Sequence, residues 1–410
     1  MSKINELIQT LCPDGVEYKK LGEVATINRG NGFQKKDFTE EGRPCIHYGQ
    51  IFMHYSKLGI ATNKTLTYLD DAKYEKNVKA LPNDVVMAVT SENVEDVCKC
   101  VVWEGDEPVA VSGHTAIFHT EMNSKFLAYW FNTSDFYVQK VRLAHGTKVI
   151  EVTPAAMADI VLPVPTMAVQ DEIVRILDEY TRLEAELEAK LSEEIELKQK
   201  QYEYCASKLF EDLNVEYISM SELAKFKYGY TDKASDSGNA RFIRITDIDD
   251  FGELSSADEK YITLTDDAEK YLLTKGSLVV ARTGATYGKT LYFDSDEPSV
   301  YASFLIKIDF DNNQVFNRYY WHFTKTSLYW EQANKYVKVG GQQQFNSPAL
   351  GRVCVPVPSI TEQERIVKIL DKYDTYTRDM ISTLNTELEF RKKQYVYYRD
   401  QLLTFKRKEV

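Results

Sequence analysis

Arginine, lysine, asparagine and glutamine carry paired donors and acceptors that match the edges of bases, and neighbouring glycines expose backbone N–H groups suited to phosphate oxygens. Such residues gather at the turns of two stretches of this chain. The first stretch holds Arg29, Lys35, Lys36, His47, Tyr48, Gln50, Tyr55, Asn63 and Lys64, then Ser91-Glu92-Asn93 and His145-Gly146-Thr147-Lys148. The second holds Tyr228, Tyr230, Lys233, Arg241, Arg244, Arg282-Thr283, Lys289 and Gly340-Gly341-Gln342-Gln343-Gln344. Most polar residues at turns do no more than hydrate a surface. The chemistry nonetheless singles out Arg29, Lys35, Lys36, Tyr48, Gln50, Asn93, Lys148, Tyr230, Arg244, Arg282, Thr283, Lys289, Gln342, Gln343 and Gln344 as candidate nucleic-acid contacts.

Two motifs imitate catalysis. Gly284-Ala285-Thr286-Tyr287-Gly288-Lys289-Thr290 follows a predicted strand as a P-loop would, but three residues separate its glycines where a phosphate loop needs four. Asp14, Glu17 and Lys19 have the residue types of a metal-dependent nuclease, yet such groups come from separate strands converging on a metal, and these sit within a few positions. No nucleophile–His–acid set, Gly-x-Gly-x-x-Gly or Asn-Pro-Pro-Tyr loop is legible, so no enzyme is expected. The six cysteines lack metal-site spacing and are read as reduced and structural, with no metal.

The elements that would position the candidate contacts are set by an internal repeat. Pro163-Val164-Pro165 and Pro356-Val357-Pro358 each open a long amphipathic helix, 356 − 163 = 193 positions apart. Gln170, Ile173, Val174, Ile176, Leu177, Asp178 and Tyr180 return as Gln363, Ile366, Val367, Ile369, Leu370, Asp371 and Tyr373, and Gln201-Tyr202 as Gln394-Tyr395. Periodicity constrains polarity and not identity, so this is a tandem duplication. Upstream, Gly22-Glu23-Val24-Ala25 is echoed by Ser221-Glu222-Leu223-Ala224, followed by Gly30 and Gly229; between these landmarks the copies diverge.

Apolar seams run through Ile173, Ile176, Tyr180, Leu183, Leu187, Leu191 and Ile195 in the first helix and Ile366, Ile369, Tyr373, Tyr376, Met380, Leu384 and Leu388 in the second. Spacings of three and four with a run of fours predict a coiled-coil stripe with a stutter. Helix pairing is expected through Ile173, Leu187, Leu191, Ile195, Ile366, Met380, Leu384 and Leu388. Each helix should be roughly 60 Å long. The connector to the second globular stretch reaches only about 30 Å. The chain cannot travel back along the helix, so the two helices are predicted to pair antiparallel with a globular unit at each end.

Length and composition agree with two globular units. At 410 residues the chain should hold two or three domains, and 43% hydrophobic content excludes wholesale disorder. No apolar run approaches the ~20 residues of a membrane span. A soluble, cytoplasmic protein is expected. The net charge of −12 argues against indiscriminate nucleic-acid binding, so basic groups must be gathered locally or supplied by a partner.

Taken in order, the opening Cys12-Pro13-Asp14-Gly15-Val16-Glu17-Tyr18-Lys19-Lys20-Leu21-Gly22-Glu23-Val24, Ile46-His47-Tyr48-Gly49-Gln50-Ile51, Ala281–Lys289 and the two Pro-Val-Pro helix starts resemble the DNA-specificity subunits of type I restriction-modification systems. The resemblance implies an α+β fold of two mixed α/β target-recognition domains separated by two long antiparallel coiled-coil helices, a pseudo-twofold internal repeat. Its boundaries are an N-terminal segment (1–20), a first domain (21–165), a central helix (166–212), a second domain (213–358) and a C-terminal helix (359–410). It further implies double-stranded DNA, two methylation subunits and restriction/translocase subunits as partners. S-adenosylmethionine would belong to the methylation subunits, with no cofactor in this chain. The Arg282–Lys289 and Gly340–Gln344 loops become expected DNA contacts, matched in the first copy by His145–Lys148, with Arg282's counterpart near Thr90. A coiled-coil adaptor and a metal-dependent nuclease stand as alternatives.

Overall fold

A computed structural model describes residues 2–56, 59–311, 314–337 and 344–409. The chain divides into two compact units, Met1–Lys190 with Thr386–Val410, and Leu191–Asn385. The long helices run Met167–Glu211 and Ile360–Leu402, and each lends one part to either unit.

Period-two alternation builds the core of unit one. Its main sheet has the order Ala25–Arg29, Thr115–Thr120, Val85–Ala88, Cys100–Trp103, Ala61–Thr62, antiparallel except for the last pair. Side chains alternate across a strand. Val85, Met87, Cys100, Val102, Ala116 and Phe118 therefore face one way, against helices Ser124–Trp130 and Ser134–Leu143. Val86, Ala88, Val101, Trp103 and Ile117 face the other, against a second sheet through Arg43–Ile46 and Val109–Val111. Both helices start where the sequence offers a cap: Asn123 Oδ1 accepts from the N–H groups of Lys125 and Phe126, and Thr133 Oγ1 from that of Phe136. Trp130, Phe131 and Phe136 pack with centroids 4.9–6.0 Å apart, each buried ring contributing roughly 2–3 kcal/mol.

Unit two repeats the plan. Ala224–Tyr228, Leu305–Phe310, Leu278–Ala281 and Thr290–Tyr292 form the main sheet, and helices Asn317–Phe323 and Ser327–Tyr336 cover the face carrying Leu278, Val280, Ile306 and Ile308. The opposite face, Val279, Ala281, Leu291 and Leu305, packs into a separate cluster with Ile243, Phe293 and Tyr301. Close approach explains the shared glycines: a Cβ on Gly30 would lie 2.2 Å from Ser112 O, and one on Gly229 2.2 Å from Ala302 O.

The starts of the long helices are tied down identically. Gln170 donates from Nε2 to Pro165 O and accepts from Asn123 N; Gln363 donates to Pro358 O and accepts from Phe316 N. Both glutamines are buried. Within unit one the helix segments run antiparallel, Tyr180 stacking on Tyr398, Thr181 Oγ1 3.2 Å from Tyr395 Oη, and Glu188 bonded to Lys392. Within unit two, Tyr202 stacks on Tyr373.

The expected seam needs correction. Tyr180, Leu183 and Tyr376 are 42%, 48% and 59% exposed, while Asp374, Thr377 and Ile381 are buried. In the second helix the inward face thus lies one residue along from the predicted Tyr373, Tyr376, Met380 stripe, because two of its members are polar and invisible to a hydrophobic pattern. Of the residues expected to pair, Ile173 and Ile366 are fully buried in the cores of units one and two, Leu191 is buried, and Leu187, Ile195, Met380, Leu384 and Leu388 are half-buried.

Candidate nucleic-acid interface

One end of the main sheet in each unit gathers some of the candidate contacts, Arg282, Thr283 and Gln344 in unit two and Arg29 in unit one. In unit two, strand register sets Tyr228 opposite Ile306 and Ala281 opposite Leu305, so the next residues on either side, Arg282 and Phe304, meet at the sheet's last rung, where Arg282 N donates to Phe304 O. The Arg282 guanidinium carbon lies 5.2 Å from the Tyr228 ring centre and 5.4 Å from that of Phe304. Its Nε donates to Ser303 O at 3.0 Å. Both rings are exposed, and Tyr228 Oη is anchored by the N–H of Ser347. Beyond Arg282, Thr283 is buried and bridges to exposed Gln344, and Gly284 turns the chain at φ +74° with open space where a Cβ would project.

The other described candidates of unit two are half-buried and partnered by neighbouring side chains. Arg244 is bonded to Asp247 at 2.8 Å and Asp258 at 3.2 Å, and the Asp247 hydrogen bond, ahead of the Asp258 contacts, raises its pKa. Lys289 pairs with Asp250, and Tyr230 packs on Tyr271. Gln342 and Gln343 lie outside the described residues.

Unit one presents different chemistry at the same end of its sheet. Arg29 occupies the place of Tyr228, and its guanidinium is bonded to Glu151 Oε1 at 2.8 Å and to Gly113 O at 3.2 Å. The counterpart of Arg282 is Val89, fully buried, whose N–H donates to His114 O as Arg282's does to Phe304 O. The counterpart expected near Thr90 is thus its neighbour Val89, and Thr90 itself pairs with Glu151 as Thr283 does with Gln344.

Around this end, Tyr48 lies between His47 and His114, with centroids 4.5 and 5.0 Å away. Burial, then the charges of Lys35 and His114, push the His47 pKa down to about 4, so the ring is neutral and its Nδ1 accepts from Gly49 N. Gln50 is spent internally, accepting from His47 N and donating to Thr67 Oγ1, and Asn93 organises a turn through Asp96. Lys35, Lys36 and Lys148 are exposed. Lys148 sits in a loop whose Gly146, at φ +111°, tolerates no Cβ, since Val149 O would lie 2.0 Å away.

The catalytic look-alikes resolve into structure. Glu17 and Lys19 pair with each other on strand Glu17–Lys20, and Gly288 packs against Trp330. Among the described residues no group of three or more His, Cys, Asp or Glu is arranged to hold a metal, no helix is long and apolar enough to cross a membrane, and all six cysteines are free thiols.

Comparison with known proteins adds the family. A profile described as the type I restriction modification DNA specificity domain matches residues 13–197 and again 213–390. The chain is 30% identical over 402 residues to a type I restriction enzyme specificity subunit of Haemophilus influenzae, spanning 95% of this chain and 96% of that one. It is 32% identical over 312 residues to a specificity subunit of Escherichia coli, spanning 70% and 72%. A solved structure from work on assembly and conformational transition of the type I R-M system superposes with a TM-score of 0.69 at 14% identity, over 95% of this chain and 97% of that one, which shows a common fold.

Proposed function

Because this chain belongs to the family of type I restriction-modification DNA specificity subunits, we propose that its two units each read one half of a bipartite double-stranded target. One observation carries this reading: two units share a duplicated scaffold, down to the buried glutamines Gln170 and Gln363, yet present unlike residues at the same end of the sheet. Selection for one function would keep both ends alike; selection for two different half-sites would diverge them and leave the frame intact.

The long helices serve in this reading as docking faces for two methylation subunits. Those partners bring S-adenosylmethionine and the methyl-transfer chemistry, with restriction/translocase subunits joining for cleavage in the cytoplasm. This chain contributes recognition and no catalysis. Partner contacts to phosphates also accommodate a subunit whose own charge is −12. Methylome sequencing of cells with and without the chain tests the proposal: a split motif should appear only with it. Replacing residues 21–162 by the corresponding part of another such protein should change one half of the motif and preserve the other. A continuous motif, or a change in both halves, would refute it.

A further inference from the structure

We propose that Arg282 reads a guanine through its major-groove edge, and that Tyr228 and Phe304 are the positioning residues that aim it. The inference rests on the DNA-reading role argued above and names the base. Most arginines of unit two are neutralised within the fold: Arg241 by Glu259, Arg244 by Asp247 and Asp258, Arg318 by Asp371, Arg378 by Asp374 and Glu253. Arg282 forms no ion pair with any described carboxylate. Its Nε is committed to Ser303 O, its face rests near two exposed rings, and among the described residues the two terminal nitrogens have no hydrogen-bond acceptor.

A planar fork with two parallel donors matches the O6 and N7 acceptors of guanine, the one base that offers two acceptors side by side in the major groove. Stacking on aromatic rings reduces the rotamer freedom lost when such a fork engages. Register shows that this availability is specific to unit two. Glu151, which occupies Arg29 in unit one, has Gln344 at its corresponding place, bridged to Thr283 as Glu151 is to Thr90, so no carboxylate comes from that strand. The half-site read by unit two should therefore contain a guanine contacted in this way, and the half-site read by unit one is under no such requirement.

The test uses the full chain with its co-purified methylation subunits and duplexes carrying the motif found by methylome sequencing. Replacing each guanine in turn by 7-deazaguanine removes the N7 acceptor. With the unsubstituted protein, one position in one half-site should weaken binding about tenfold or more. In Arg282→Ala that position should become insensitive to the replacement, with the other half-site unaffected. Arg282→Lys should retain affinity better than alanine and keep only part of the preference for guanine over adenine there, and Tyr228→Ala or Phe304→Ala should narrow that preference more than they weaken overall binding.

No sensitive guanine in either half, or a penalty that persists in Arg282→Ala, overturns the inference while leaving the bipartite reading intact. Binding without any sequence preference overturns the bipartite reading and this inference with it. If the alanine variant fails to fold, the scan is read in Arg282→Met, which keeps an apolar stem beside the rings and carries no donor; a deazaguanine penalty that persists there overturns the inference.

Discussion

The two units anchor the same long-helix carboxylate with different chemistry. In unit one, Asp178 accepts from Tyr129 Oη at 2.7 Å and from Lys125, and the network continues through neutral hydroxyls, Tyr129 to Thr181 to Tyr395. In unit two, the corresponding Asp371 accepts from His322 Nε2 at 2.8 Å and from Arg318 Nε at 2.7 Å. The position of Thr181 is taken there by Asp374, which is buried and bonded to Lys325 at 2.7 Å and Arg378 at 2.9 Å. Burial pushes the His322 pKa down to about 4, against the pull of Asp371. Burial acts to raise the Asp371 pKa, but the hydrogen bonds from His322 and Arg318 outweigh it and lower the value. The imidazole is thus neutral, with its proton on Nε2, and Nδ1 accepts from Tyr202 Oη. One geometry is held by hydroxyls and a single lysine in one copy, and by an imidazole with several ion pairs around Asp371 and buried Asp374 in the other, which shows that backbone placement constrains the repeat more tightly than side-chain chemistry does.

Breaking that contrast should have its largest effect at Asp374. Asp374→Ala strands Lys325, whose side chain is only 14% exposed, while Arg378 keeps Glu253, and should destabilise unit two by about 3 kcal/mol. Denaturant titration followed by hydrogen exchange would localise the loss; exchange speeding equally in both units would contradict it. Acid comes next. A histidine lowered from 6.5 to about 4 stabilises the fold fully above pH 6.5 and loses that contribution as pH falls toward 4. Between pH 7 and 5, His322 should remove about 2 kcal/mol from unit two, and His322→Tyr, which copies Tyr129, should flatten that slope in stability measurements at the two pH values. His47 imposes a similar dependence on unit one, and the tyrosine variant should leave it untouched. The smallest effect belongs to Thr181→Ala, where a hydroxyl network is shortened without stranding a charge, at about 1 kcal/mol. A loss as large as that of Asp374→Ala would erase the distinction between the two anchors.

The scaffold was more legible than the interface. Identity at a fixed offset exposed the duplication and the helix starts, because residues such as Gln170 and Gln363 tie loops together by specific hydrogen bonds that polarity alone would not preserve. The helix pairs of each unit escaped notice: seven- and ten-residue helices are too short to display a clear period, although Asn123, Thr133 and Thr326 stood at their starts as caps. The seam was misphased where Asp374 and Thr377 replace apolar residues. At the interface, residue type could not distinguish Arg282, which has no ion pair with a described carboxylate, from Arg244, Gln50 and Asn93, whose donors and acceptors are used within the fold. Partnering is a property of three dimensions, and only the strand register revealed which residues share the exposed end of a sheet.

Unit one closes on a tail from the far end of the chain. Val16 N donates to Lys406 O, Lys408 N donates to Val16 O, Tyr18 Oη donates to Phe405 O, and Leu402, Leu403 and Phe405 enter its core. A Cβ on Gly15 would strike Lys406 O at 2.8 Å, so the strand and tail fit without slack. During synthesis, the segment that emerges first must wait for some of the last residues before its core is complete, whereas unit two, drawn from one uninterrupted stretch, can close as soon as Asn385 has left the ribosome. The order in which the units mature is the reverse of the order in which they begin.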